Sequence, residues 1–77
     1  MVHFFKIPLQ FADMFVKQIN FDEKTISYQI RDKENGRLLE NETTSKFIIN
    51  EIENKIELGS RFININLAMH VSNIINS

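Results

Sequence analysis

Apolar residues recur along this chain with two different spacings, and the alternation between them divides it into elements. From Pro8 onward, Leu9, Ala12, Phe15, Val16 and Ile19 keep helical spacing while Gln10, Asp13, Lys17 and Gln18 face away, which predicts a helix from about Pro8 to Ile19. Ile19-Asn20-Phe21 then reads as a short strand and Asp22-Glu23-Lys24 as a polar turn. Between Thr25 and Asp32 the period changes to two. Ile26, Tyr28 and Ile30 share one face and Ser27, Gln29 and Arg31 the other, which predicts a strand. At the N-terminus His3, Phe5 and Ile7 alternate with Val2 and Phe4, so a strand apolar on both faces is expected, inside the sheet or at an interface.

Asn35-Gly36 follows the central strand, and these residue types best tolerate the positive φ that a two-residue type I′ turn needs at both positions. A hairpin turning there sets Glu34 against Arg37 and Arg31 against Glu40, each pair worth about 0.2–1 kcal/mol. Beyond the polar stretch Asn41 to Thr44, either Thr44 or Ser45 can cap a second helix. Its apolar stripe is Ile48, Ile49, Ile52 and Ile56, Glu51 precedes Lys55 by one turn, and Gly59 ends it in the left-handed conformation. Arg61 to Asn66 alternates again, with Ile63, Ile65 and Leu67 against Phe62, Asn64 and Asn66, and predicts a strand. Leu67, Val71, Ile74 and Ile75 favour a last helix capped by Asn66, with a strand around Val71-Ser72-Asn73-Ile74 as the alternative. Together these elements predict an α+β fold in one domain over 1–77. It is a small antiparallel sheet, containing a β-hairpin with its turn at Asn35-Gly36, packed against two or three helices.

Composition narrows what such a domain does. At 77 residues a chain buries only about 60% of the surface it exposes when unfolded, so self-association or a partner is an expected source of stability. The absence of cysteine excludes disulfides, thiolate zinc sites and a cysteine nucleophile. No run approaches the roughly 18 apolar residues of a membrane span. The start has neither a basic region nor a small-residue cleavage site, so the expected location is cytoplasmic. Net charge is −1 and the cations occur singly, unlike the footprint of a strong nucleic-acid binder. The abundance of Ile, Asn, Lys and Phe suits an AT-rich genome, such as a low-GC bacterium or its phage.

Candidate chemistry is sparse. The two histidines, His3 and His70, lie near opposite ends of the chain with no metal-ligand spacing, and neither a phosphate-binding loop nor a Ser-His-Asp set is present. No cofactor, metal or small-molecule substrate is expected, and the chain reads as non-enzymatic. Phe4, Phe5, Phe11, Met14 and Phe15 concentrate apolar area in the first quarter, as core first and as a partner or dimer surface second. Glu53 and Glu57, with Glu51, would form an acidic helix face, either merely solvated or docking a basic partner. Asn64, Asn66, Asn73 and Asn76 add uncharged hydrogen-bonding groups late in the chain.

Two short stretches carry resemblances. Ile19 through Leu39, with Asp32-Lys33-Glu34-Asn35-Gly36, is similar to the hairpin of the FlaG family of flagellar proteins, but Glu42-Thr43-Thr44 lies near where that family has Ile-Pro. Arg61 to Asn66 resembles the Asn-containing strand of LytTR-type DNA-binding domains over a handful of residues. Neither assigns a functional residue. The expected function is a small non-enzymatic protein-binding module, such as an inhibitor, adaptor or regulatory subunit, encoded by a phage or mobile element, with a homodimer as one option. The alternative is a nucleic-acid-binding regulator that sets Arg31, Lys33 and Arg37 against phosphate.

Overall fold

A computed structural model of the chain describes residues 4–76. Strands dominate it: β1 (Phe5–Pro8), β2 (Ala12–Asn20), β3 (Thr25–Asp32), β4 (Leu38–Lys46), β5 (Ile48–Asn50), β6 (Lys55–Leu58) and β7 (Arg61–Asn64), followed by one helix, α1 (Ile65–Ile75). β1-β2-β3-β4 form one antiparallel sheet and β5-β6-β7 a second, and within each sheet every strand pairs with its neighbour in sequence. The fold is therefore mostly β, two antiparallel sheets with one C-terminal helix, and not a sheet packed against two or three helices.

Both missing helices have physical reasons. In the first, Pro8 to Ile19 forms the end of β1, a turn and most of β2, where Met14 and Val16 alternate into the core. A register shift between Val16 and Gln18 inserts one extra residue, so Ile19 rather than Gln18 returns to the buried face. The bulge stretches a two-residue repeat into a three-residue step, and the strand imitates a helix in sequence. In the second, Thr44 and Ser45 belong to β4, and Asn50 opens a turn where the expected helix would run on. The Asn50 side-chain oxygen accepts a hydrogen bond from the Glu53 amide at 3.0 Å, and Asn54 adopts φ +56°, which asparagine tolerates better than most residues. Consequently only Ile56 of the four-isoleucine stripe is buried, and Lys55 lies 3.6 Å from both Glu53 and Glu57.

Thr25 to Asp32 forms the expected strand and buries Ile26, Tyr28 and Ile30. The hairpin after it is closed differently from a type I′ turn. Asp32 accepts hydrogen bonds from the amides of Glu34 and Asn35 and donates its own amide to the Arg37 carbonyl, so residues 33–37 form a longer loop in which only Gly36 takes a positive φ. Arg31 then faces Leu38 and Ile30 faces Glu40, and neither expected charge pair forms in that register. Gly59 is left-handed, as expected, but in the two-residue loop between Leu58 and Arg61.

One apolar cluster joins both sheets and the helix: Ile7, Met14, Val16, Ile19, Ile26, Tyr28 and Ile30 from the larger sheet, Phe47 at the junction, Ile56, Leu58 and Ile63 from the smaller, and Ala68 and Val71 from α1. Phe47 links the sheets through its amide, bonded to the Lys24 carbonyl, and through its ring, edge-on to Phe21. The helix starts at Asn64, whose side chain caps the amides of Asn66 and Leu67, two residues before the expected cap. Across the sheets, the Arg61 guanidinium donates to the Glu40 carboxylate at 2.6 Å.

Candidate functional site

The residues singled out in the sequence separate onto different surfaces. Met14 is fully buried and Phe5 half-buried, its ring edge-on to His70, so both act in or beside the core. Phe4 and Phe15 meet on the opposite face of the larger sheet, with ring centres 5.2 Å apart and the Arg31 guanidinium 6.0 Å from the Phe15 ring. Phe11 stands apart from them at the β1–β2 turn. Glu53 and Glu57 lie on the β5–β6 hairpin instead of a helix, where they share Lys55 and the Asn50 amide.

The three hairpin cations do not form a row. Arg31 is turned back to the Gly36 carbonyl, Lys33 pairs with Asp13 at 3.0 Å, and Arg37 is exposed on the loop. His3 lies outside the described residues. Among those described, no group of three or more His, Asp or Glu side chains could hold a metal ion, and no helix is long and apolar enough to cross a membrane.

What the fold does bring together is a groove between two turns. On one side are Pro8, Leu9, Gln10, Phe11 and Ala12; on the other are Ser60, Arg61 and Phe62; the space between them is about 520 Å3. Local backbone chemistry sets both walls. The Leu9 amide donates to the Ala12 carbonyl and pushes Gln10 and Phe11 to the tip of the β1–β2 turn. Opposite, the tight Gly59-Ser60 loop starts β7 with Arg61 turned to Glu40 and Phe62 facing outward, because Ile63 takes the buried position. Phe11 is 83% exposed and Phe62 61%. Lys55 places its ammonium 4.5 Å from the centre of the Phe62 ring, which fixes that ring without covering it. The hydrogen bond to Glu40 raises the Arg61 pKa above its ordinary value, against the opposing effect of burial, so the cation at the groove is permanent.

Phe62 is legible in the sequence as the one large apolar residue on the polar face of its strand, a signal that the Phe-rich N-terminus overshadows. Less legible is the tip of the β5–β6 hairpin. Ile52 there is 98% exposed and Ile48 68% exposed, although their spacing predicts a buried helical stripe. Comparison with protein-family models, with curated proteins and with solved structures gave no match in any of the three, so geometry alone defines the candidate site.

Proposed function

We propose that this chain is a small, non-enzymatic protein-binding module whose groove between Phe11 and Phe62 accepts an apolar side chain of a partner polypeptide. The supporting observation is the exposure of two phenylalanine rings, one on the β1–β2 turn and one on β7, that border one groove. Burying a Phe side chain stabilises a fold by about 1.5–3 kcal/mol, and in a domain this small each ring left in water forgoes a substantial part of that. Aromatic side chains in such positions are characteristic of interfaces, where a partner completes their burial. A role as inhibitor, adaptor or regulatory subunit in the cytoplasm fits this chemistry.

Selection from a displayed library of random peptides tests the reading while leaving the identity of the partner open. The expected result is a set of peptides that share a large apolar residue. They should bind the Phe11→Ser/Phe62→Ser variant at least tenfold more weakly, while its unfolding midpoint shows it still folded. Failure to enrich any peptide, or enrichment of peptides indifferent to both substitutions, would remove the groove as the binding site.

A further inference from the structure

We propose that the outer face of the larger sheet binds single-stranded nucleic acid, with bases stacked on Phe4 and Phe15 and phosphates held by the cations around them. This face shares neither phenylalanine with the groove, which lies between the β1–β2 turn and β7.

Strand pairing assigns the residues of this face. Met14, Val16, Ile26, Tyr28 and Ile30 point into the core, so the residues that alternate with them point away from it. Lys6, Phe15 and Gln29 form one cross-strand row on the outer side, Asp13 and Arg31 a second, and Thr25 and Lys46 a third. The smaller sheet and α1 pack on the core side, in one cluster with Met14 and Val16, and Phe4, Lys6 and Lys46 stay exposed. Phe4 is 48% exposed, and its ring meets that of Phe15 at 5.2 Å and an angle of 58°. Rings on an open sheet face are a stacking platform, because every base presents a π-face to them. Gln29, opposite Phe15, adds an amide within reach of a base edge.

Charge then selects the occupant. The cations occur singly in sequence, but strand pairing gathers Lys6, Arg31 and Lys46 on this face, and Lys17 and Lys33 join them through Glu42 and Asp13 at 3.0 Å. Those two carboxylates stand against five cations, a net +3 on one face of a chain whose total is −1. Among the described residues Lys6, Arg31 and Lys46 make no ion pair. The Arg31 guanidinium lies 6.0 Å from the Phe15 ring, so positive charge and stacking surface adjoin. The complementary partner is a polyanion that also presents flat aromatic faces. A duplex hides its bases and an anionic lipid surface has none, so a single strand is the partner that engages rings and cations together.

Fluorescence anisotropy of labelled oligothymidylate and oligouridylate, each about 12 nucleotides long, tests this on the full chain. Without a sequence-reading motif, the expected Kd is roughly 1–100 μM. Three unpaired cations predict that log K falls against log salt with a slope of about −2. Phe4→Ala should weaken binding at least fivefold and leave that slope unchanged. Lys6→Glu/Lys46→Glu, at two exposed side chains, should weaken it at least tenfold and flatten the slope, with an unfolding midpoint close to the parent's. Phe11→Ser/Phe62→Ser should bind as the parent does, which separates this face from the groove. Binding of either oligonucleotide with these variant effects supports the inference, and the tighter of the two identifies the preferred sugar. No binding up to about millimolar chain at low salt overturns it. So does equal affinity for a duplex of the same length, or affinity indifferent to Phe4→Ala or to the lysine substitutions.

Discussion

Ile52 and Ile56 are one helical turn apart in sequence, and the β-hairpin that replaces the expected helix gives them opposite environments. As part of a helical stripe, both would be buried and both truncations to alanine would be costly. In the hairpin, Ile56 is fully buried between Ile49 and Ile63, and Ile52 is 98% exposed at the turn. Ile56→Ala removes three buried carbons and leaves a cavity where two sheets and a helix meet, a loss of about 2–5 kcal/mol. A domain of this length has a total stability of about 4–12 kcal/mol, so the variant should be near the limit of folding, with its midpoint lowered by about 10 °C or more. Ile52→Ala should change stability by less than about 0.5 kcal/mol. Urea unfolding followed by circular dichroism gives both values. Equal costs for the two variants would mean that residues 48–56 form a helix after all, and would refute the account of this hairpin.

Two further outcomes follow from the turns and the tie between the sheets. Gly59→Ala meets no atom within 4 Å, so only the left-handed backbone at φ +66° opposes it, and it should cost about 1–2 kcal/mol in urea unfolding, with Gly59→Asn recovering part of that. The Arg61–Glu40 pair is partly exposed, and a double-mutant cycle should give a coupling on the order of 0.5 kcal/mol that shrinks in high salt. Because the Arg61 pKa is raised, its contribution is fully present below the ordinary arginine range and is lost only as pH climbs beyond it, so that coupling should not change between about pH 7 and 9.

The parts of the fold that are legible in sequence are those where one period runs without interruption. Ile26, Tyr28 and Ile30 identify β3, and Ala68 and Val71 lie on the buried face of a helix that the spacing of Leu67, Val71 and Ile75 favours. Illegible stretches are those where irregular backbone imposes a false period. The bulge at Val16/Gln18 and the turn at Glu51 to Asn54 each leave apolar residues at three- and four-residue steps. Side-chain closure of loops misleads in the same way. Asn35-Gly36 carries the residues of a type I′ turn, but the Asp32 carboxylate three residues earlier offers two amides a partner and shifts the closure upstream. At the candidate groove, Phe11 and Phe62 are each visible in the sequence, but the approach of the β1–β2 turn to β7 that joins them is a tertiary property that no local pattern records.

Phe47 separates two runs of hairpins, and its position has a kinetic meaning. Within each sheet every strand pairs with its neighbour in sequence, so each loop to be closed is short and its entropic cost modest. Each run can therefore zip up by itself, faster than in β folds whose partners are distant in the chain. The slow event is then the meeting of two preformed halves, when Phe47 enters against Phe21, α1 closes over β2, and Arg61 reaches Glu40. Substitutions within a preformed hairpin should therefore slow folding, whereas those at the seam, which is completed only as the halves dock, should act in larger part on the rate of unfolding.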